Sequence, residues 1–419
     1  MSFETISVIG LGYIGLPTAA MFASRKVKVI GVDVNQKAVD TINRGEIHIV
    51  EPELDIIVRS VVKDGYLRAV TQPEPADAFL IAVPTPFKSN GSEIPEPDLG
   101  YIEKAANSIA PVLKTGDLVI LESTSPVGAT EQLAEWLSLA RPDLSFPQQA
   151  GDAADVAVAH CPERVLPGHV VRELVQNDRV IGGMSSRCSE KAIDLYKIFV
   201  EGECVITNAR TAEMAKLTEN SCRDVQIAFA NELSLLCDQM DIDVWELIRL
   251  ANRHPRINIL QPGPGVGGHC IAVDPWFIVS KSPNTARLIK TAREINDHKP
   301  EWVITRTQEV VEELESTLNR QVNIGCYGLA FKADIDDLRE SPALEITKRL
   351  SDIYGNFVFA IEPNLARGEK IENIQLLDFS EAIGQCDLHI LLVAHSEFKN
   401  SKERFRSEVC IDTVGILRD

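Results

Sequence analysis

Cys270 lies in a segment whose composition suits a reactive thiol. The segment Gly265-Val-Gly-Gly-His-Cys270 contains three glycines, and glycine lets a backbone adopt unusual dihedral angles and approach a bound molecule closely. A thiol held there beside a positive charge would ionise readily and act as a nucleophile. We therefore predict a nucleophilic Cys270 and eight other cysteines that are buried structural residues. Cys161 is the main competitor, but its neighbours Pro162 and Glu163 supply no positive field.

A lysine and an amide are spaced to share one face of a predicted helix. Lys216 and Asn220 are four residues apart, so their side chains lie on the same side of a helix. Both could donate to one oxygen, which would stabilise an oxyanion. Asp274, four residues after Cys270, adds a carboxylate. From spacing alone, an exposed helix face is the simpler interpretation of Lys216 and Asn220.

A glycine turn near the N-terminus has the pattern of a dinucleotide site. Gly10, Gly12 and Gly15 follow a predicted strand and open a predicted helix, which is where a tight turn, a pyrophosphate and close helix packing need glycine. Asp33 ends the next strand, where a carboxylate binds the adenosine ribose and disfavours a 2′-phosphate. The sequence therefore predicts NAD rather than NADP. The predicted cofactor contacts are Gly10, Gly12, Tyr13, Ile14, Gly15, Asp33, Thr85, Ser123 and Thr124.

Further polar segments follow other predicted strands. Glu122-Ser-Thr-Ser-Pro126 and Cys161-Pro-Glu-Arg164 come at strand ends, which is the edge of a parallel sheet where ligands bind. In the last hundred residues, Gly328-Leu-Ala-Phe-Lys332 follows a strand and precedes Arg339. Lys332 and Arg339 could hold the phosphates of a second nucleotide. A solvated charged loop explains them equally well.

The hydrophobic pattern predicts α/β domains at both ends of the chain and helices between them. Predicted strands are Thr5–Ile9, Lys28–Asp33, Ala78–Val83, Leu118–Glu122, Val156–His160, Asn323–Tyr327, Phe357–Ile361 and Leu388–Val393. Predicted helices are Ile14–Ser24, Gln36–Asn43, Tyr101–Pro111, Gly128–Leu139, Thr211–Met240, one capped by Asp243 and ended by Pro255, Ala286–Glu315 with Pro300 as a candidate break point, and one after Ser341. The fold class is α/β, with two Rossmann-like doubly wound domains joined by a long central helical segment. The predicted domains are 1–205, 206–310 and 311–419.

Composition excludes several classes of partner. The 419 residues carry a formal net charge of −19, which disfavours nucleic acid and anionic lipid. Nine cysteines without a CxxC pair argue against both a disulfide framework and a zinc site, so no metal is expected. Apolar runs are too short to span a bilayer. We expect a cytoplasmic protein.

Several motifs follow one another along nearly the whole chain: GLGYIGLP, ESTSPVG, CPER, KLTEN, GVGGHC with Asp274, and GLAFK with DLRES. Together and in this order, they resemble the UDP-glucose/GDP-mannose dehydrogenase family. The resemblance implies oxidation of a UDP-sugar's C6 alcohol to a carboxylate with NAD, through a thiohemiacetal and a thioester on Cys270. It also implies a homodimer formed through the central helices. The implied catalytic residues are Cys270, Lys216, Asn220, Asp274, Glu163 and Thr124. The implied substrate contacts are Glu163, Arg164, Lys216, Asn220, Arg256, Gly267, Lys332 and Arg339, with Arg256 reaching the partner subunit's site.

Two further features bear on which sugar is the substrate. CPERVLPG with GPGVGGHCIAVDP is similar to the branch of the family that acts on UDP-N-acetylhexosamines, and Pro167 stands where UDP-glucose enzymes usually carry an acid. The resemblance implies UDP-N-acetyl-D-mannosamine as the substrate and a role in enterobacterial common antigen synthesis. UDP-N-acetylglucosamine and UDP-glucose remain alternatives, because shape and a few hydrogen bonds distinguish epimers. A catalytically silent sensor of NAD and nucleotide sugars is the non-enzyme alternative.

Overall fold

A computed structural model of the chain describes residues 3–49, 51–89, 91–165, 168–268, 270–365 and 371–418. Pro167 therefore lies outside the described residues. The chain forms two compact units: residues up to Glu219 with Trp276–Lys281, and Asn220–Pro275 with the residues from Ser282 onward.

The first unit is built on an eight-stranded sheet. Its elements are β1 (Thr5–Ile9), α1 (Gly15–Ser24), β2 (Lys28–Val32), α2 (Gln36–Asn43), α3 (Leu54–Lys63), β3 (Leu67–Val70), β4 (Ala78–Ile81), α4 (Gly100–Ile109), β5 (Leu118–Leu121), α5 (Ala129–Ala140), α6 (Pro147–Ala150), β6 (Ala157–His160), α7 (Val170–Gln176), β7 (Arg179–Gly183), α8 (Ser186–Tyr196) and β8 (Cys204–Asn208). The strand order is β3-β2-β1-β4-β5-β6-β7-β8. Pairing is parallel except between β6 and β7. The order reverses beside β1, which is where a doubly wound sheet opens a ligand crevice.

Each face of this sheet carries its own apolar core, as successive strand residues point to opposite faces. Ile6 and Val8 of β1 lie in one core with Phe22 of α1. Ile9 lies in the other, with Ile102 of α4 and Leu133 of α5. Helices on both faces explain why the strands are almost entirely apolar.

The remaining elements are α9 (Ala209–Gln239), α10 (Val244–Ala251), α11 (Asp274–Lys281), α12 (Arg287–Leu318), β9 (Ile324–Tyr327), α13 (Pro342–Tyr354), β10 (Val358–Ile361), β11 (Gln375–Leu376), α14 (Phe379–Gln385), β12 (Leu388–Leu391), α15 (Ser396–Asn400) and β13 (Val409–Asp412). The second unit holds a parallel sheet in the order β11-β10-β9-β12-β13. The two sheets and the long helices confirm the predicted fold class. In the described ranges, no helix is both long and apolar enough to cross a membrane.

The central helices confirm the predicted Asp243 cap and correct the predicted break at Pro300. Asp243 caps α10, because its Oδ1 accepts from the Trp245 and Glu246 N–H groups at 2.9 and 3.1 Å. That helix ends at Ala251, before Pro255. Helix α12 runs through Pro300 without a break. Proline removes one helical hydrogen bond, and burial on either side, at residues such as Arg293 and Val303, outweighs that loss.

Glu213 of α9 caps the N-terminus of α5. Its carboxylate accepts from the Gly128 N–H at 2.7 Å, the Thr130 N–H at 2.8 Å and the Thr130 hydroxyl at 2.6 Å. The side chain is buried. These donors include N–H groups at the helix N-terminus that have no partner within the helix.

We expect Glu213→Ala to lower the free energy of unfolding by about 1–3 kcal/mol, because it leaves buried donors unpaired. Thermal unfolding measures the effect. Glu131→Ala, which removes the exposed ion pair between Glu131 of α5 and Arg210 of α9, is the control and should scarcely change the midpoint. Equal falls in both variants would contradict a capping role for Glu213.

Candidate functional site

The predicted glycine turn joins β1 to α1 in the first unit. Gly10 adopts φ +91°, and a Cβ there would lie 2.6 Å from the Ala82 carbonyl oxygen. A Cβ on Gly15 would lie 1.8 Å from the Gly10 oxygen, so the turn and the helix are too close for a side chain at either position. Gly12 is exposed, and a Cβ there would meet nothing within 4 Å. The open side of the turn at Gly12 is therefore where a ligand can approach the backbone.

Asp33 directly follows β2 and faces this turn. Its Oδ2 accepts from the Leu11 N–H at 3.0 Å, and its Oδ1 accepts from the Asn35 N–H at 2.8 Å. Each carboxylate oxygen can accept a second hydrogen bond, so ribose hydroxyls can still bind. The glycine cradle, the start of α1 and this acid fit a dinucleotide.

The other predicted cofactor contacts lie near the ends of β4 and β5. The Ser123 hydroxyl donates to the Val83 carbonyl at 2.7 Å, so its proton is already used within the protein. The Thr85 Oγ1 is buried and has no hydrogen-bond partner among the described residues, which makes it the better candidate for a bond to a ligand. Thr124 is half-buried, Tyr13 is exposed and Ile14 is half-buried.

We expect Asp33→Ala to raise the KM for NAD by about tenfold, since it removes charge-assisted hydrogen bonds to the ribose. The same change should lower the preference for NAD over NADP, because no carboxylate then opposes a 2′-phosphate. Steady-state kinetics with both cofactors measure this ratio. Asp40→Ala, at an exposed position on α2, is the control. An unchanged NAD/NADP ratio in Asp33→Ala would refute the assignment.

Glu163 follows β6 and is held by two donors. The Arg179 Nη2 donates to its Oε2 at 2.6 Å, and the Arg164 N–H donates to its Oε1 at 2.7 Å. The Glu163 side chain is 8% exposed. The Arg164 guanidinium forms an ion pair with Glu219 at 2.7 Å. Arg179 was not indicated by any motif, because nothing local places it beside Glu163.

The cysteines differ in solvent exposure, which bears on which thiol can react. Cys161 is fully buried, and burial raises the pKa of its thiol well above the usual range. Cys270 is exposed, so the preference for Cys270 over Cys161 has a physical basis. The prediction that all other cysteines are buried is wrong for Cys222, which is exposed on α9, and for the half-buried Cys204 and Cys410. Two exposed cysteines thus provide a matched pair for comparison.

In the second unit, Cys270 lies one turn before Asp274, whose buried carboxylate pairs with the half-buried Asn220 amide. The Asp274 N–H donates to the Cys270 carbonyl at 2.8 Å, which fixes this turn at the start of α11. The Asn220 Nδ2 donates to the Asp274 Oδ2 at 2.5 Å, and Asp274 is 2% exposed. The structure therefore brings Asn220, which is distant in the sequence, to Asp274 and to the turn that carries Cys270.

The glycines before Cys270 pack on the loop between β9 and α13. A Cβ on Gly267 would lie 2.4 Å from the Glu340 carbonyl oxygen. The Gly268 N–H donates to the same oxygen at 3.3 Å, and Gly268 adopts φ +84°. These close contacts require glycine. They join the loop before Cys270 to the loop that carries Lys332 and Arg339.

Lys332 is exposed on that second loop, and the Arg339 guanidinium forms a two-pronged ion pair with Asp337. The Arg339 Nε and Nη2 donate to the two carboxylate oxygens of Asp337 at 2.8 and 2.6 Å. A phosphate would compete with Asp337 for this guanidinium. Arg256 is exposed in the turn after α10, and Lys216 is half-buried on α9, one helical turn before Asn220. The catalytic and binding roles of these residues remain predictions.

Sequence reasoning missed Glu362, which directly follows β10. Its Oε2 accepts from the Leu329 and Ala330 N–H groups at 2.7 and 3.1 Å, and it lies 3.1 Å from the His395 Nε2. Glu362 therefore holds the glycine turn after β9, just as Asp33 holds the turn after β1. The available signal was an acid directly after a predicted strand, the same signal that identified Asp33.

Comparisons with known proteins agree over the whole chain. Models of the UDP-glucose/GDP-mannose dehydrogenase family match residues 4–200 as the NAD binding domain, 210–298 as the central domain and 325–419 as the UDP binding domain. A UDP-N-acetyl-D-mannosamine dehydrogenase from Yersinia pestis is 64% identical over 100% of both chains. An NDP-N-acetyl-D-galactosaminuronic acid dehydrogenase from Ralstonia nicotianae is 60% identical over 99% of this chain and 97% of its own.

Among solved structures, a UDP-N-acetyl-mannosamine dehydrogenase from Staphylococcus aureus is similar, with a TM-score of 0.85 and 41% identity. The match covers 99% of this chain and 96% of that one.

Proposed function

The chain belongs to the UDP-glucose/GDP-mannose dehydrogenase family, and from this premise we propose that it oxidises the C6 primary alcohol of UDP-N-acetyl-D-mannosamine to the carboxylate. It is an NAD-dependent nucleotide-sugar dehydrogenase, and the choice of sugar and the chemical mechanism are the proposed parts. The observation that carries the mechanism is the exposed Cys270, whose backbone carbonyl accepts from the N–H of Asp274 in the Asn220–Asp274 pair.

Oxidation of an alcohol to an acid removes four electrons, which explains the need for a nucleophile. NAD, when bound, accepts a hydride from C6 in each of two steps. After the first step, the Cys270 sulfur bonds to the aldehyde carbon and gives a thiohemiacetal, which the second step converts to a thioester. Water then bonds to C6, the carbon–sulfur bond breaks, and the thiol and the acid are released. A two-electron alcohol dehydrogenase would not need this cysteine.

The polar residues have complementary roles in the proposal. Lys216 and Asn220 stabilise the negative oxygen at C6, and Lys216 also moves a proton. Asp274 and Thr124 orient the water, and Asp274 also orients the Asn220 amide through the 2.5 Å hydrogen bond. Glu163 accepts a proton from water during thioester hydrolysis.

The nucleotide end of the substrate is proposed to bind the loop after β9. Lys332 and Arg339 contact the phosphates, with Arg339 exchanging Asp337 for a phosphate. Gly267 lies at the close contact between this loop and the loop before Cys270. We propose a homodimer in which Arg256 reaches the other subunit's site. Exposed apolar side chains on α9, including Phe229 and Leu236, support such an interface.

The predicted segments 1–205, 206–310 and 311–419 are proposed as the NAD-binding, central and UDP-sugar-binding domains. We propose a cytoplasmic enzyme, because the nine cysteines include no CxxC pair, which argues against a disulfide framework. We propose that its product enters cell-surface polysaccharide, with enterobacterial common antigen as the specific destination.

Four nucleotide sugars test the substrate. The kcat/KM values for UDP-N-acetylmannosamine, UDP-N-acetylglucosamine, UDP-N-acetylgalactosamine and UDP-glucose are compared with NAD in excess. The proposal predicts the highest value for the mannosamine compound. A higher value for the galactosamine compound would favour the second candidate substrate, which the 60% identity to the Ralstonia protein supports.

A further inference from the structure

A buried ion cluster lies at the ends of neighbouring strands in the first unit. Arg179, at the start of β7, is 4% exposed. Its Nη2 is 2.6 Å from the Glu163 Oε2, and its Nη1 is 3.6 Å from the Glu122 Oε1. Glu122 follows β5 and Glu163 follows β6, which pair with each other. One guanidinium therefore lies between two carboxylates, of which only Glu163 has a role in the proposed mechanism.

The surroundings hold the guanidinium in this position. The Arg179 guanidinium carbon lies 4.2 Å from the centre of the Tyr196 ring, a cation–π contact. The Tyr196 hydroxyl donates to the Glu122 Oε1 at 2.6 Å. The Glu122 Oε2 has no hydrogen-bond partner among the described residues. These contacts make Glu122 the less well satisfied of the two carboxylates.

Burial also changes the ionisation of Glu122 and of the nearby thiols. Burial raises the pKa of Glu122 to about 7, so Glu122 is partly protonated near neutral pH. The thiols of Cys161 and Cys204 also face Arg179, and burial raises the pKa of each, so both are neutral. Glu163 makes the shorter of the two ion pairs with Arg179, at 2.6 Å against 3.6 Å for Glu122.

We propose that Arg179 is a positioning residue for the proposed thioester hydrolysis, holding the Glu163 carboxylate charged and oriented to accept the proton of water, while Glu122 competes for the same guanidinium. This inference rests on the proposed function. In the hydrolysis step, the water oxygen bonds to C6, its proton passes to Glu163, and the bond from C6 to the Cys270 sulfur breaks.

The physical reason is the cost of a buried charge. A carboxylate buried without a countercharge favours its neutral form, and a neutral carboxyl group cannot act as the base. Arginine suits the position because its guanidinium remains charged when buried and can contact two carboxylates at once. The Arg164 N–H fixes the other Glu163 oxygen, so the group has a single orientation.

Arg179→Gln and Arg179→Lys test the proposal in the full-length protein with UDP-N-acetylmannosamine and NAD. For Arg179→Gln we expect kcat to fall at least about tenfold at neutral pH, and intact-mass analysis of quenched enzyme to show a sugar adduct on Cys270. The acid limb of the kcat profile should move to higher pH, because the buried base loses its countercharge. Arg179→Lys keeps a charge and should restore part of kcat. Arg210→Gln, which removes an exposed ion pair, is the control and should behave as wild type.

Glu122→Gln provides a second test if Arg179→Gln fails to fold. This nearly isosteric change removes the competing carboxylate, so the acid limb should move to lower pH. Two results would overturn the proposal. One is a Glu122→Gln variant whose kcat profile keeps its acid limb at the wild-type pH. The other is an Arg179→Gln variant with lowered kcat but with no adduct on Cys270 and no shift of the acid limb. Failure of the proposed function would give a different result from these, because wild-type protein would then form no NADH with any UDP-sugar. The proposal for Arg179 would then fail together with the proposed function.

Discussion

Replacing Cys270 with serine or alanine is expected to lower the rate of acid formation by at least about 10³-fold, because loss of a covalent nucleophile removes the path through the thioester. Serine keeps the size of the side chain, but its hydroxyl is a far weaker nucleophile near neutral pH. Binding of NAD should be unchanged, since the glycine turn and Asp33 lie in the first unit. Rates of NADH and acid formation measure the loss, and equilibrium titration measures NAD affinity.

Cys222→Ser is the matched control for this variant. Cys222 is the other exposed cysteine among the nine, so the two variants each remove one solvent-exposed thiol. We expect Cys222→Ser to retain wild-type kcat and KM. Full turnover by Cys270→Ser would contradict the cysteine mechanism, and equal losses in both variants would indicate general damage.

Asp274→Ala is expected to give the next largest effect, a fall in kcat of about 10²-fold with a smaller change in KM. The Asp274 carboxylate orients the Asn220 amide at 2.5 Å, and a misdirected oxyanion donor costs about this much. Because the stabilised charge develops only in the transition state, kcat should fall more than substrate binding. Steady-state kinetics at saturating NAD separate the two constants.

Asn220→Ala and the double variant refine this prediction. If the amide and the carboxylate act together, the double variant should be scarcely slower than either single variant. Thr218→Ala, at an exposed position on the same helix, is the control and should leave kcat unchanged. Losses in the single variants that multiply in the double variant would show that Asp274 and Asn220 act independently.

Local patterns were sufficient for the features that depend on neighbouring residues. The turn from Gly10 to Gly15 and the acid Asp33 could be predicted because strand, glycines, helix and carboxylate follow one another within a short stretch. The Asp243 cap was equally local, since its partners are two and three residues away. The hydrophobic pattern also predicted most strands of both sheets, because strands covered on both faces are continuously apolar.

Contacts between distant residues could not be predicted in this way. Arg179 meets Glu163 only because β6 and β7 pair antiparallel, a reversal that no motif announces. The predicted elements did not include α3, β3, β7, α8 or β8, although Ser185 caps α8 through a hydrogen bond from the Cys188 N–H. Pro300 suggested a break, but buried residues on both sides keep α12 continuous. Local propensity was overridden there by tertiary packing.

The most direct test of the central claim is the amount of NADH formed per molecule of sugar consumed. Purified protein is incubated with excess NAD and a limiting amount of UDP-N-acetylmannosamine, and NADH absorbance is compared with loss of the sugar nucleotide. The mechanism through Cys270 predicts two NADH per sugar and a carboxylate product with no free aldehyde. One NADH per sugar, with aldehyde accumulating, would contradict a thioester on Cys270 as the route to product.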